Sequence, residues 1–222
     1  MKALQQLTEK VLSGEPITKV EAMCLYQQPL DELCKSADAI RRHFCGNRFD
    51  ICTIINGKSG RCSENCRFCA QSAHNHTGAA QYPLLPEEEI IAQAKRNQER
   101  GVLRYSIVTS GKRLSDGEVE QMCWVVQEIK RTVGISVCVS FGLLDKRQFR
   151  KLKEAGVTRV HNNLETSRRN FPHICTTHTF DDKVQAIHAA QAAGLSVCSG
   201  GIMGLGERAE DRIDMAIELR RL

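Results

Sequence analysis

Three cysteines with close spacing form the clearest chemical signal in the sequence. Cys62, Cys66 and Cys69 follow the pattern C-x-x-x-C-x-x-C, directly after the first predicted strand. Three thiolates on a tight loop can hold three irons of a [4Fe-4S] cluster and leave the fourth iron open to a ligand from outside the protein. A zinc site completed by His74 or His76 is the alternative. Structural zinc loops usually pair two C-x-x-C knuckles, and such a pair is absent from the sequence.

Two further segments, each at the end of a later predicted strand, could bind a ligand. Segment 161–167 is polar, and segment 199–207 is rich in glycine, which lets the backbone approach a nucleoside closely. A lone glycine-rich loop is a weak indication, and each polar side chain could instead satisfy nearby backbone groups. The candidate binding residues are His161, Asn163, Glu165, Gly200, Gly201, Ile202 and Gly204.

Short β-branched segments alternate with amphipathic helices along most of the chain. The predicted strands cover residues 51–55, 103–108, 135–140, 157–160 and 195–199. Glycine precedes all but the first of them and supplies the left-handed cap of the helix before it. Capping boxes at Ser115 and Thr179 mark the starts of two helices. Strands that alternate with helices predict an α/β fold with a parallel sheet, either closed into a barrel or open and doubly wound.

The predicted elements divide the chain into a helical cap, residues 1–48, and an α/β domain, residues 49–222. Five βα units are visible, and the last helix is still running at Leu222. A closed barrel of this kind has eight units and typically about 250 residues. We therefore expect a barrel that lacks its last units, from a truncated gene product or a fragment whose activity alone is doubtful.

Composition and charge exclude several classes of function. The 222 residues are 41% hydrophobic and 26% charged, with a net charge of +5 at pH 7. Basic residues alternate with acidic ones and form no stripe, so we expect no nucleic-acid partner. Apolar runs are too short for a membrane span or a signal peptide, so we expect a cytoplasmic protein without membrane association. Eleven cysteines in a reducing compartment favour metal binding.

The cysteine pattern, with aromatic Phe68 directly before its last cysteine, resembles the signature of radical S-adenosylmethionine (SAM) enzymes. Together with Cys198 and the segments 161–167 and 199–207, it makes the chain from about Asp50 onward similar to the biotin synthase family. That resemblance implies a (βα)8 TIM-type barrel that converts dethiobiotin to biotin by radical hydrogen abstraction and sulfur insertion. It also implies SAM, a [4Fe-4S] cluster, an auxiliary iron-sulfur cluster, flavodoxin or ferredoxin as electron donor, and a homodimer.

The resemblance further assigns roles to individual residues. Asn163 and Glu165 would bind the ribose of SAM, and His161 and Asn163 would face dethiobiotin. No side chain is assigned as a general acid or base. The remaining cofactor contacts would come from Phe68, Gly200, Gly201, Ile202 and Gly204.

The auxiliary cluster is the point where the sequence departs from the common family pattern. Cys138 and Cys198 match two of its three cysteine ligands, the third aligns with Ser106, and the arginine ligand would lie beyond Leu222. A neutral serine hydroxyl is a poor iron ligand compared with a thiolate. Cys175 stands where the common form has an aliphatic residue. We hypothesise that Cys138, Cys175 and Cys198 hold a rearranged cluster, with an unliganded thiol at Cys175 as the alternative.

Two other functions stay open at this stage. A sister radical enzyme of the hydrogenase-maturase or methylornithine-synthase type would share the cysteine loop but act on another substrate. Truncation also allows a non-catalytic metal-binding remnant. The cysteines interpreted as small packing residues on apolar faces are Cys24, Cys34, Cys45, Cys52 and Cys123.

Overall fold

A parallel sheet forms the centre of the computed structural model, which describes residues 2–222. Its strands are β1 (Cys52–Lys58), β2 (Arg104–Thr109), β3 (Ser136–Ser140), β4 (Arg159–His161) and β5 (Ser196–Cys198). They pair in the order β1-β2-β3-β4-β5. All five predicted strands are confirmed, and β1 continues past its predicted end to Lys58. The sequential order rules out the doubly wound alternative, in which the strand order reverses at a switch point.

Helices precede β1, separate the strands and follow β5. They are α1 (Lys2–Leu12), α2 (Lys19–Tyr26), α3 (Leu30–Cys45), α4 (Glu87–Glu99), α5 (Asp116–Thr132), α6 (Lys146–Ala155), α7 (Phe171–Ile174), α8 (Phe180–Ala192) and α9 (Ala209–Arg221). Among residues 2–222, no helix combines the length and the apolarity needed to cross a membrane.

Side-chain caps fix where several helices begin. Ser115 Oγ accepts a hydrogen bond from the Glu118 N–H at 3.3 Å, and Glu118 Oε2 accepts one from the Ser115 N–H at 2.8 Å. The same reciprocal pairing starts α8 and α2. These bonds satisfy N–H groups of the first turn, which have no partner within the helix. The capping boxes predicted from the sequence are confirmed.

The two faces of the sheet differ in chemistry, because successive strand residues point to opposite sides. One face carries residues such as Ile107 and Val139, which pack with α4, α5 and α6 in the main hydrophobic core. The other face lines the inside of the partial barrel and is polar. Its register aligns the residues Cys52, Ile54, Arg104, Ser106, Cys138, Arg159, His161 and Cys198 on one side of the sheet.

The N-terminal helices pack against the last helix of the α/β domain. Lys19 on α2 forms an ion pair with Asp214 at 2.5 Å, and Arg212 Nη1 donates to the Tyr26 hydroxyl at 2.8 Å. No residue of α3 is fully buried, and the side chain of Leu30 remains 73% exposed. The division into a cap, residues 1–48, and a barrel, residues 49–222, stays a prediction.

Candidate metal centre

A cavity of about 580 Å³ opens at the carboxyl ends of the strands. The loop after β1 contributes Cys62, Cys66 and Cys69 to its wall, and the end of β4 contributes His161 and the segment that follows. Active sites of barrel enzymes lie at this end of the strands. Residues from two distant predicted motifs therefore meet in one cavity.

Hydrogen bonds inside the cysteine loop hold its shape. The Cys62 N–H donates to the carbonyl of Gln71 at 3.0 Å, and the Cys69 N–H donates to the carbonyl of Cys66 at 3.1 Å. Asn75 Nδ2 donates to the carbonyls of Cys66 and Cys69 at 3.0 and 2.9 Å. These bonds fix the backbone of the loop, and all three cysteines line the cavity. This donor set fits three corners of a [4Fe-4S] cluster.

The histidines of the zinc alternative lie outside the cavity. His74 Nε2 is 3.1 Å from the carbonyl oxygen of Ser63, and neither His74 nor His76 lines the cavity. In the part of the chain that the structure describes, no group of metal-ligand side chains includes either histidine. The geometry therefore supports the cluster rather than zinc.

Cys175 lies beside Cys66, not with Cys138 and Cys198. Its Sγ, the Cys66 Sγ and a ring nitrogen of His178 are all within 4.8 Å of one another. Helix α7 produces this placement, because it leads the chain from β4 back to the cysteine loop. This placement does not support the hypothesis that Cys175 joins Cys138 and Cys198 in an auxiliary site, which stays a prediction.

Cys52 takes the place on the inner face that the hypothesis gave to Cys175. Burial raises the pKa of the Cys138 thiol, and the nearby thiols of Cys52 and Cys198 raise it further. Cys52 and Cys198 are exposed to the barrel interior, whereas Cys138 is buried. The interpretation of Cys52 as a packing residue on an apolar face is wrong, because its side chain belongs to the polar face. Cys24, Cys34 and Cys45 are also exposed rather than packed.

Two arginines share the inner face with these thiols. Burial raises the pKa of Cys52, while the charges of Arg104 and Arg159 lower it. Arg104 Nη1 donates to Thr158 Oγ1 at 2.9 Å, but the buried Arg104 Nε has no hydrogen-bond partner among residues 2–222. Buried N–H groups without a partner are rare in proteins. An anionic iron-sulfur cluster held by the thiols fits this orphaned donor.

The loops after β4 and β5 join at Glu165 and Gly201. The Glu165 N–H donates to the carbonyl of Gly200 at 3.1 Å, and the Ile202 N–H donates to the carbonyl of Glu165 at 2.8 Å. Glu165 has a φ of 69°, in the left-handed region that few residues other than glycine adopt. A Cβ at Gly201 would lie 2.7 Å from the Glu165 carbonyl oxygen. Only glycine therefore allows the two loops to pair.

The side chain of Glu165 is prepared to receive a polar ligand. Its Oε2 is buried and has no hydrogen-bond partner in the described chain. Burial raises the pKa of the carboxyl, whereas Lys183 and Asn163 lower it. Glu165 and Asn163 both line the cavity, so a ligand hydroxyl could satisfy the free oxygen.

The other candidate cofactor contacts divide between the cavity and its rim. Phe68 lines the cavity and packs with Leu164 and Phe171 in the second hydrophobic cluster. The candidates after β5, namely Gly200, Gly201, Ile202 and Gly204, lie outside the cavity wall. Glu207 stabilises this loop, because its carboxylate accepts from the N–H groups of Gly204 and Leu205 at 2.8 and 2.6 Å.

Lys183 is a site residue that the sequence reasoning missed. It lies in the first half of α8, lines the cavity, and donates from Nζ to Asn162 Oδ1 at 3.0 Å. Burial lowers the pKa of His161, and the charge of Lys183 lowers it further. The capping box at Thr179 indicated the start of α8, but it did not indicate which side of the helix meets the cavity.

Comparison with known proteins places the chain among radical enzymes. Residues 58–219 match the radical SAM superfamily. The chain is 57% identical over 222 residues to biotin synthase of Akkermansia muciniphila and 54% identical over 220 residues to that of Brachyspira hyodysenteriae. It covers 69% and 66% of those proteins and 100% and 99% of its own length. The chain thus spans about two thirds of the length of these curated relatives.

Two solved structures share the fold of this chain. Methylornithine synthase superposes with a TM-score of 0.83 at 23% identity, covering 97% of this chain and 64% of that one. A maturase of the [FeFe]-hydrogenase superposes with a TM-score of 0.84 at 23% identity, covering 100% of this chain and 51% of that one. These likenesses confirm the predicted barrel fold.

Proposed function

Because the chain belongs to the radical SAM superfamily and, within it, to the biotin synthase family, we propose that it converts dethiobiotin to biotin. Hydrogen abstraction from carbon by a deoxyadenosyl radical and sulfur insertion from an auxiliary cluster would make up the reaction. One observation supports this most directly: a loop with three thiols stands at the barrel rim, and three more thiols line the inner face below it. The sister enzymes share the fold at 23% identity, which says nothing about substrate.

The primary cluster would be held by Cys62, Cys66 and Cys69, which leaves one iron for SAM. When bound and reduced, the cluster supplies the electron that cleaves SAM into a deoxyadenosyl radical. The protein's part is to hold the loop in one conformation and to enclose the reaction. The hydrogen bonds from Asn75 to the loop carbonyls serve the first purpose.

Binding of SAM would use four side chains around the cavity. Glu165 would accept a hydrogen bond from a ribose hydroxyl with its unpaired oxygen, and Asn163 would form a hydrogen bond with the ribose hydroxyls. Lys183 offers a cation to the carboxylate of the methionine part, and Phe68 offers an apolar wall. Together these side chains would satisfy the polar and apolar parts of one ligand, as binding sites for small molecules commonly do.

Dethiobiotin would lie against His161 and Asn163, between the rim and the inner face. His161 ends β4 and stands in register with Cys198 of the neighbouring strand. Burial and Lys183 lower the pKa of His161, which favours the neutral imidazole, and that form can donate one hydrogen bond and accept another from the polar ring of the substrate. This position would put the carbons to be attacked between the source of the radical and the source of sulfur.

The auxiliary cluster would be held by Cys52, Cys138 and Cys198. Cys52 would replace the thiolate that is lost at Ser106, on the adjacent strand. Thiolate is a far better iron ligand than a serine hydroxyl, and the orphaned Arg104 Nε can donate to a cluster sulfur. When bound, this cluster supplies the sulfur that is inserted.

The test of the proposed function uses the protein extended to the length of its curated relatives and reconstituted with iron and sulfide. Single changes of Cys62, Cys66 or Cys69 to Ala should abolish deoxyadenosine release and biotin formation, because two thiolates cannot hold the cluster with one open iron. Cys34→Ala, an exposed thiol on α3, is the control and should retain both. Full SAM cleavage in any of the three loop variants would contradict the assignment.

Three further statements follow from the family rather than from the site. The electron donor would be a flavodoxin or a ferredoxin, the enzyme would be a homodimer, and it would act in the cytoplasm. Sedimentation of the extended protein across a range of concentrations would test the dimer directly.

A further inference from the structure

A fourth thiol stands at the primary cluster, and the proposed reaction gives it no task. Cys175, directly after α7, is buried, with 3% of its surface exposed. The backbone fixes its position, because the Arg67 N–H in the cysteine loop donates to the carbonyl of Ile174 at 3.0 Å. The Cys175 Sγ is therefore held within 4.8 Å of the Cys66 Sγ.

A buried hydrogen bond behind Cys175 restrains its surroundings. His178 Nδ1 lies 2.5 Å from Glu64 Oε2, and both side chains are almost fully enclosed. Thr177 Oγ1 also donates to Glu64 Oε2, at 2.8 Å. The short distance to a carboxylate assigns the Nδ1 proton to the bond with Glu64.

The bond between His178 and Glu64 limits which atoms can accept a hydrogen bond from the Cys175 thiol. His178 Nδ1 is 3.3 Å from the Cys175 Sγ, but it carries the proton that it donates to Glu64 and so has no free lone pair to accept a hydrogen bond from the thiol. The neutral acceptors within reach are Thr177 Oγ1 at 3.5 Å and His178 Nε2 at 3.9 Å, which is long for a hydrogen bond. An iron-bound Cys66 sulfur carries negative charge, and a charged acceptor forms the stronger bond.

We propose that the Cys175 thiol donates a hydrogen bond to the Cys66 sulfur of the bound [4Fe-4S] cluster and thereby raises the reduction potential of that cluster. The proposal rests on the assignment of Cys66 as a ligand under the proposed function. Hydrogen bonds to cluster sulfurs stabilise the more negative, reduced state, and so they shift the potential upward. Cys175 is thus a positioning residue, and Glu64 and His178 orient it.

The experiment is a potentiometric titration of the reconstituted, extended protein, with the reduced cluster followed by electron paramagnetic resonance in the absence of SAM. Cys175→Ala should keep all cluster iron but lower the potential. A tenfold change in the reduction equilibrium is expected, which corresponds to about 59 mV for one electron. Cys175→Ser keeps an O–H donor and should lie between Ala and the original protein. His178→Gln should give a smaller shift in the same direction.

Cys123→Ala is the matched control, since this half-buried thiol on α5 is remote from the cavity wall. Its potential should equal that of the unchanged protein. An unchanged potential in Cys175→Ala, with full iron content, would overturn the proposal. Loss of cluster iron in that variant would overturn it as well, because Cys175 would then be a ligand. Biotin formation by the unchanged protein is measured separately, so failure of the function would not be mistaken for failure of the hydrogen bond.

Discussion

At the scale of single residues, Gly201 shows how closely the two ligand loops approach. A Cβ at this position would lie 2.7 Å from the carbonyl oxygen of Glu165 and would also collide with the Met215 sulfur. Gly201→Ala should therefore separate the loops and displace Glu165. We expect a loss of about 1–3 kcal/mol in the free energy of unfolding, typical of overpacking, together with weaker SAM binding. Denaturant titration and equilibrium binding measure the two effects.

The neighbouring glycine provides the comparison. A Cβ at Gly200 would lie 3.7 Å from Asn163 Oδ1, an ordinary van der Waals distance. Gly200→Ala should change the free energy of unfolding by less than about 1 kcal/mol. Equal destabilisation by both substitutions would show that the loop tolerates no side chain at all and that the contact with Glu165 is not the cause.

Cys52 carries the second prediction at this scale. Cys52→Ala in the extended protein should reduce the iron and sulfide content by the amount of the auxiliary cluster, because only two thiolates would remain for it. Deoxyadenosine release should persist while biotin formation is lost. Chemical analysis of iron and sulfide, together with assays of deoxyadenosine and biotin, measures these effects. Retention of both clusters in Cys52→Ala would show that the ligand lies elsewhere.

These residues also show what the sequence can and cannot predict. Cys62, Cys66 and Cys69 are recognisable because a short loop fixes their separation. The alternation of a strand predicts that Cys52 points to one of two faces, but the face depends on the helices that cover the other side. Cys175 depends on how α7 turns, and a four-residue helix leaves no periodic pattern in the sequence.

At the scale of elements, α9 is fixed to the loop after β4 by one carboxylate. Asp211 is 1% exposed, accepts from Ser167 Oγ at 2.5 Å and from Arg169 Nε at 2.9 Å, and also pairs with the other end of that guanidinium. The hydrogen-bonded guanidinium of Arg169 holds the pKa of the Asp211 carboxyl well below its usual range. The helix therefore depends on a charged side chain as well as on its apolar face.

Asp211→Asn tests this connection. A carboxyl whose pKa is lowered by folding stabilises the protein above its unfolded pKa of about 3.9 and loses that effect as the pH falls towards the folded value. Near neutral pH we expect the substitution to lower the free energy of unfolding by about 1–3 kcal/mol, the usual penalty for buried groups without proper partners. Below about pH 4, the free energies of unfolding of the variant and of the unchanged protein should become more similar.

The control is Asp214→Asn on the same helix. Asp214 pairs with Lys19, but 41% of its side chain is exposed, and exposed ion pairs contribute about 0–1 kcal/mol. Thermal or denaturant unfolding across the acid range compares the two variants. If Asp211→Asn lowered the free energy of unfolding equally at every pH, the shape of the side chain rather than its charge would hold the helix.

At the scale of the whole molecule, the sheet has two edges that no strand of residues 2–222 covers. β1 and β5 stand at the ends of the strand order, and Ile54 on the inner face remains 65% exposed. Open strand edges pair with other chains, and exposed apolar surface adds to this tendency. We expect the 222-residue chain to form a series of oligomers as its concentration rises.

Extension to the length of the curated relatives should suppress that association and leave a single species. Light scattering at increasing protein concentration distinguishes a series of oligomers from one dimer. A monodisperse 222-residue chain would show that its edges are protected in another way. The five βα units could be predicted from the repeated glycine caps, whereas the sequential order of the strands comes from the structure and the exposure of Ile54 depends on which strands complete the barrel.

The polar inner face also affects whether the protein stays folded when a cluster bound there is lost. Its cysteines and arginines contribute little to cohesion, since the main apolar core lies on the opposite face of the sheet. The auxiliary cluster proposed for this interior would then be lost and rebuilt while the outer layers stay folded. Repair would then require only a supply of iron and sulfide and an open path to the chamber, not the synthesis of a new chain.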